Sequence, residues 1–281
     1  MTLKVLLNVV GTGQSNRDIE RAIDVCLESN AHLSVLIVTL ASPPPVGEYA
    51  VAMTDTWVQE KQQAIARMTA RQKEIDALLA RSDIGSDCDT LYCEQVWAEE
   101  AIGERARFAD MTMIGPELLR RDSEVKSRAI EGALFESARP IVVMPEQGPS
   151  SLKAKTVIIA WDGRVEVARA VFAALDIMKS ADKVHIVMVD PEPVMGGDGR
   201  RSEPGADIAV YLARHDINVS VDHVASAGQS TAEVLNERAR DLDAGLIVMG
   251  GYGHSRLRER IFGGVTRSML DDARVPVLMA R

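Results

Sequence analysis

The sequence predicts an α/β protein made of two tandem, doubly wound parallel-sheet domains, and three observations predict it. Short apolar strands alternate with amphipathic helices along the whole chain, the pattern of a parallel sheet covered on both faces. The apolar stripe of the first helix recurs. Ile19, Ala22, Ile23, Cys26 and Leu27 fall at i, i+3, i+4, i+7 and i+8, and Val167, Ala170, Val171, Ala174 and Leu175 repeat them 148 residues later. The run Arg139-Pro140-Ile141-Val142-Val143-Met144 is echoed by Val275-Pro276-Val277-Leu278-Met279, where the step from Pro140 to Pro276 is 136 residues. The second copy is therefore about 12 residues shorter between these landmarks.

Each element follows in order. Val5 to Val9 reads as a strand, the Ile19 stripe as a helix, and Leu33 to Leu40 as a second strand. The turn Ser42-Pro43-Pro44-Pro45 then leads into a long helix that carries Trp57, Ala64, Ile65, Met68, Ile75, Leu78 and Leu79. Cys88 to Leu91 is a strand, Val96 to Arg107 a helix, the run Asp110 to Gly115 carries a strand, and a final helix precedes the strand after Pro140. Gly148-Pro149-Ser150-Ser151 breaks both periodicities and marks Gln147 to Ala154 as a linker, so the domains are residues 1–147 and 155–281. The second copy repeats the series with strands at Val157 to Trp161, Lys183 to Val189, Asn218 to Val224 and Gly245 to Gly250. Its missing residues fall after Val189, where a loop from Asp190 to Pro204 with Gly196, Gly197 and Gly199 leads into a short helix around Asp207 to His215. Ser230 followed by Glu233 forms a capping box that starts its third helix.

Composition narrows the function. The chain has 281 residues, 46% hydrophobic and 26% charged, enough to bury a core. A net charge of -9 and a pI near 5.2 argue against a nucleic-acid groove or an anionic membrane surface. Without a cationic leader or a long apolar run, the chain reads as cytoplasmic with no membrane span. Cys26, Cys88 and Cys93 have no spacing that suggests zinc or a disulfide framework, and His32, His185, His215 and His223 are scattered.

The most informative stretch is Gly245-Leu246-Ile247-Val248-Met249-Gly250-Gly251-Tyr252-Gly253, with nine residues before Gly263-Gly264-Val265-Thr266 opens a helix. A buried strand running into glycines, then a loop, then glycines at a helix start brings bare backbone N–H groups onto a phosphate chain. Two αβ copies, each ending in a strand that runs from a proline through β-branched and aliphatic residues to a methionine, resemble a tandem universal stress protein. Nucleotide-binding members of that family carry Gly, two residues, Gly, nine residues, then Gly followed by Ser or Thr. Gly250, Gly253 and Gly263 match, while Gly264 stands where the hydroxyl residue belongs. The resemblance implies a Rossmann-like fold of the adenine nucleotide alpha hydrolase type, in which the two copies pair as an internal pseudo-dimer with Val142, Val143, Val277 and Leu278 at the seam. It leaves open a homodimer of the chain and the identity of any protein partner.

The resemblance assigns ATP, with Mg²⁺, to Ala160, Asp162, Val189, Met249, Gly250, Gly253, Gly263, Gly264, Val265 and Thr266. Ala160 and Asp162 line the adenosine end, the backbone near Val189 reads the base, and the start of the fourth helix faces the phosphates. Competing readings stand beside these: the glycines permit turns, Asp162 shapes a turn before Gly163, Thr266 caps its helix, and His254, Arg256, Arg258 and Arg260 decorate a solvated loop. In the first copy Gly115 matches Gly250, but Leu118 stands opposite Gly253 and Arg128 opposite Gly264. Those side chains should obstruct a close approach, so one site is expected. No Walker-type phosphate loop, nucleophile elbow or dinucleotide fingerprint is present, which makes any ATP hydrolysis incidental. The function expected is a nucleotide-binding stress-response module; the alternatives are an interaction protein with both sites degenerate and a slow ATPase.

Overall fold

The computed structural model describes residues 3–45, 50–120, 124–148, 150–191, 194–195, 201–252 and 264–281. They form two compact units, residues 3–141 and 142–281. Strands and helices alternate in both, and the strand Val5–Gly11 pairs in parallel with its two neighbours in the first unit, as the central strand Thr156–Ala160 does in the second.

The first unit runs β1 (Val5–Gly11), α1 (Arg17–Ser29), β2 (His32–Ala41), α2 (Ala50–Leu79), β3 (Ser86–Glu94), α3 (Gln95–Ala106), β4 (Met111–Ile114), α4 (Pro116–Arg120) and α5 (Glu124–Glu131). A π-helical turn over Gly132–Glu136 then leads to β5 (Ile141–Val143), where the chain passes into the second unit. Strand order is β4-β1-β2-β3. Leu6, Leu7, Val9 and Val10 are buried on both faces of β1, as continuous apolar runs in parallel sheets require. In α2 the buried line is Ala64, Met68, Arg71, Ile75 and Leu79, a helical spacing with one arginine inside it.

The stripe of α1 departs from its expected position. Leu27 is half exposed and Ile23 only partly covered, whereas Asp18, Arg21 and Val25 are buried beside Ile19, Ala22 and Cys26. The buried face is rotated around the helix because α1 packs on α4 and takes the charged side chains of Asp18 and Arg21 inside. Burial there pushes the Cys26 thiol up to about 12.

The second unit runs β6 (Thr156–Ala160), α6 (Val165–Lys179), β7 (Lys183–Val189), β8 (Val194–Met195), β9 (Arg201–Ser202), α7 (Ala206–Ala213), β10 (Val219–Val224), α8 (Thr231–Asp241), β11 (Leu246–Gly250), α9 (Gly264–Asp271) and β12 (Val277–Ala280). Its parallel order is β10-β7-β6-β11-β12. All five residues of the predicted α6 stripe are buried, joined by Met178. Here α7 spans 8 residues where α2 spans 30, which is the shortening the offsets imply. The stretch read as a plain loop holds the antiparallel pair β8/β9, while Gly196, Gly197 and Gly199 lie outside the described residues.

The capping box of α8 is present. Glu233 N–H donates to Ser230 Oγ at 3.3 Å, and Ser230 N–H donates to Glu233 Oε2 at 2.8 Å. That bond holds the Glu233 carboxyl below its ordinary range. An ion pair also repeats between the units: Arg105 to Asp89 at 2.7 Å, and Arg238 to Asp222 at 2.9 Å, each residue 133 positions after its twin. Each pair ties the helix after an outer strand back to that strand. Among the described residues no helix is long and apolar enough to cross a membrane.

Candidate functional site

In the second unit the chain leaves β6 toward β7 on one side and returns as β11 on the other, so strand order reverses at β6. Ligands of open α/β sheets bind in the crevice outside the carboxyl ends of the strands at such a switch point. The register brings three ends together: Ala160 pairs with Met249 on β11 and with Val187 on β7, and Trp161 N–H donates to Val187 O at 3.0 Å. A cavity of about 270 Å³ opens there.

Eight of the ten predicted residues line it: Ala160, Asp162, Val189, Met249, Gly250, Gly264, Val265 and Thr266. The other two, Gly253 and Gly263, lie outside the described residues, as do His254, Arg256, Arg258 and Arg260. Among the described residues, Trp161, Arg164, Glu166, Val187, Thr231 and Leu235 also line it and were missed in the sequence. Trp161 and Arg164 flank Asp162 at a strand end before a helix, and Thr231 follows the capping serine of α8. Those positions were legible as strand and helix ends, but their convergence depends on the strand order.

Asp162 forms the turn that its alternative reading described. Its Oδ1 accepts the Arg164 N–H at 3.0 Å, and Gly163 next to it takes φ +76°, where a glycine fits without strain. The Arg164 guanidinium lies 3.7 Å from Asp162 Oδ2, but both side chains are well exposed and the pair is worth little. The turn thus uses one carboxylate oxygen and holds the group at the cavity rim.

Gly250 serves packing as well. A Cβ at this position would lie 2.8 Å from Val167 N and 3.0 Å from Glu166 Cβ. Only glycine allows the first turn of α6 to come this close to β11, and that approach carries Glu166 to the cavity wall. Gly264 is different: among the described residues, a Cβ there meets nothing within 4 Å.

Thr266 is buried and its Oγ1 accepts the Tyr252 N–H at 3.3 Å. The hydroxyl thus clips Tyr252, two residues after β11 and at φ 62°, to the first turn of α9. Accepting that bond leaves its own proton to donate. Strand end and helix start are thereby held together across the glycine-rich segment. Among the described residues no group of three or more His, Cys, Asp or Glu side chains could hold a metal ion.

Residues 153–281 match the family model described as the universal stress protein family. No curated protein sequence matches the chain. Among solved structures, a universal stress protein from Archaeoglobus fulgidus is similar at 16% identity with a TM-score of 0.62, covering 98% of this chain and 96% of that one. A protein from Pseudomonas aeruginosa described as a putative universal stress protein is similar at 14% identity and a TM-score of 0.54, covering 98% and 92%. At these identities the likeness is one of fold.

Proposed function

We propose, from the match of residues 153–281 to the universal stress protein family model, that the chain is a universal stress protein whose second unit binds ATP and works as a stress-response regulatory module. The observation that carries the reading is the cavity at the ends of β6, β7 and β11, whose lining includes eight residues expected from the sequence alone. Ala160, Asp162 and the backbone near Val189 take the adenosine. Gly250, Gly264, Val265 and Thr266 face the phosphates, with Gly253 and Gly263 joining them by their spacing.

A magnesium ion would travel with the phosphates. Among the described residues, the carboxylates on the cavity lining are Asp162 and Glu166, which suit an ion held mainly by the nucleotide and its waters. The role of the protein groups is to bind and orient: backbone N–H groups and the Thr266 hydroxyl meet the anion, and Asp162 accepts from the ribose. Occupancy would then tie β11 to α9 more firmly and change stability or partner choice.

Calorimetric titration with ATP and Mg²⁺ tests this directly. Saturable heat with one nucleotide per chain, together with a rise in Tm, is the expected result. Neither heat nor a thermal shift at millimolar ATP would rule the reading out.

A further inference from the structure

The first unit builds the same junction and fills it from within. Gly115 follows β4 where Gly250 ends β11, and α1 supplies Asp18 exactly one helix-repeat step of 148 residues before Glu166. The Asp18 carboxylate lies directly over the glycine: a Cβ on Gly115 would be 2.1 Å from Asp18 Cγ. Glu117 N–H donates to Asp18 Oδ1 at 3.0 Å and Leu118 N–H donates to Oδ2 at 3.1 Å. Asp18 is 0% exposed. Two successive backbone N–H groups on the two oxygens of one buried anion are what an external oxyanion would receive from such a turn.

The neighbouring turn is closed too. The buried Arg71 of α2 donates from Nη1 to Asn16 Oδ1 at 2.7 Å and from Nη2 to Ser15 O at 2.9 Å, pinning the connection from β1 to α1. This corrects the expected cause of closure. Arg128 is drawn away to Glu99 and Glu131, and Leu118 is a buried core residue whose N–H is already engaged. In the second unit, the twin of Asp18 is the partly exposed Glu166 on the wall of an open cavity, and α7 has lost most of the length that α2 uses to deliver Arg71.

We propose that Asp18 is a built-in anion that permanently occupies the β4–α4 turn and, with Arg71 over the β1–α1 turn, keeps this copy of the site closed to external ligands. The inference rests on contacts inside the first unit and holds whether or not the second binds nucleotide.

Amide hydrogen exchange on the full chain tests it. In Asp18→Ala, Glu117 and Leu118 should exchange at least about tenfold faster than in the unaltered protein, with amides of the second unit unchanged. Inorganic phosphate or sulfate should then slow them again by entering the vacated place. Asp18→Asn keeps the shape but offers one accepting oxygen, so its exchange should fall between the two; it carries the test if the alanine variant does not fold. Full protection in both variants would show that the turn holds without a carboxylate and overturn the proposal. Lost protection that neither phosphate nor sulfate reverses would reduce Asp18 to a simple cap and overturn it equally.

Discussion

Replacing Gly264 by serine should tighten ATP binding. The position opens the first turn of α9 beside the cavity, a Cβ there meets nothing within 4 Å among the described residues, and its backbone is outside the left-handed region that would disfavour a side chain. The new hydroxyl gains a hydrogen-bonding position next to Val265 and Thr266 without displacing atoms of the described residues. A neutral hydrogen bond contributes about 0.5–1.5 kcal/mol net, which corresponds to about a 2- to 13-fold fall in Kd. Helix propensity must be separated from this, because losing a glycine from α9 stabilises the helix by itself, by up to about 1 kcal/mol for alanine. Gly264→Ala is therefore the control. Isothermal titration of both variants with ATP and Mg²⁺ should show tighter binding for serine alone, while thermal unfolding without nucleotide should rise in both. Equal affinity in the serine and alanine variants would refute the placement of the phosphates at this helix start.

Gly250→Ala should cost about 1–3 kcal/mol in urea unfolding, because its Cβ would press on the backbone of Val167; an unchanged midpoint would show that α6 can move aside freely. Gly253→Val should weaken ATP binding by about tenfold or more, since the spacing puts this glycine under the phosphates, and wild-type affinity would contradict that assignment. Leu118→Gly should not raise the nucleotide stoichiometry, because Asp18 still fills the turn, and should cost at least about 2–5 kcal/mol by analogy with truncation of buried leucine; a second equivalent of bound ATP would prove the expectation wrong. Burial pushes the Cys26 and Cys88 thiols up to about 12, so at pH 8 alkylation followed by mass spectrometry should find both slow until the chain is unfolded. Rapid labelling of folded Cys26 would contradict its burial.

The parts of the fold visible in the sequence were those set by local pattern. The α6 stripe, the capping box at Ser230 and the shortened helix after β7 each depend on residues close together in the chain. The α1 stripe was misplaced because periodicity counts apolar side chains, and this helix buries Asp18 and Arg21, which lie across the helix from the exposed Leu27. Asp18 reads as an ordinary polar residue in a first helical turn, and its partners Glu117 and Leu118 are 99 and 100 residues away. Arg71 is disguised in the same way, as a polar break in the line from Met68 to Ile75. At the candidate site, the glycine spacing and Asp162 could be read directly, whereas Glu166, Thr231 and Leu235 reach the cavity only through strand order.

Gly115 and Gly250 show what a glycine fingerprint measures. Both stay free of side chains because another group of the same polypeptide occupies the space: a carboxylate in one case, a helix backbone in the other. Selection for a sound scaffold would retain such a residue long after ligand recognition had lapsed. The leading glycine of the signature therefore testifies to architecture, and evidence of an occupant has to be sought in the glycines that follow it.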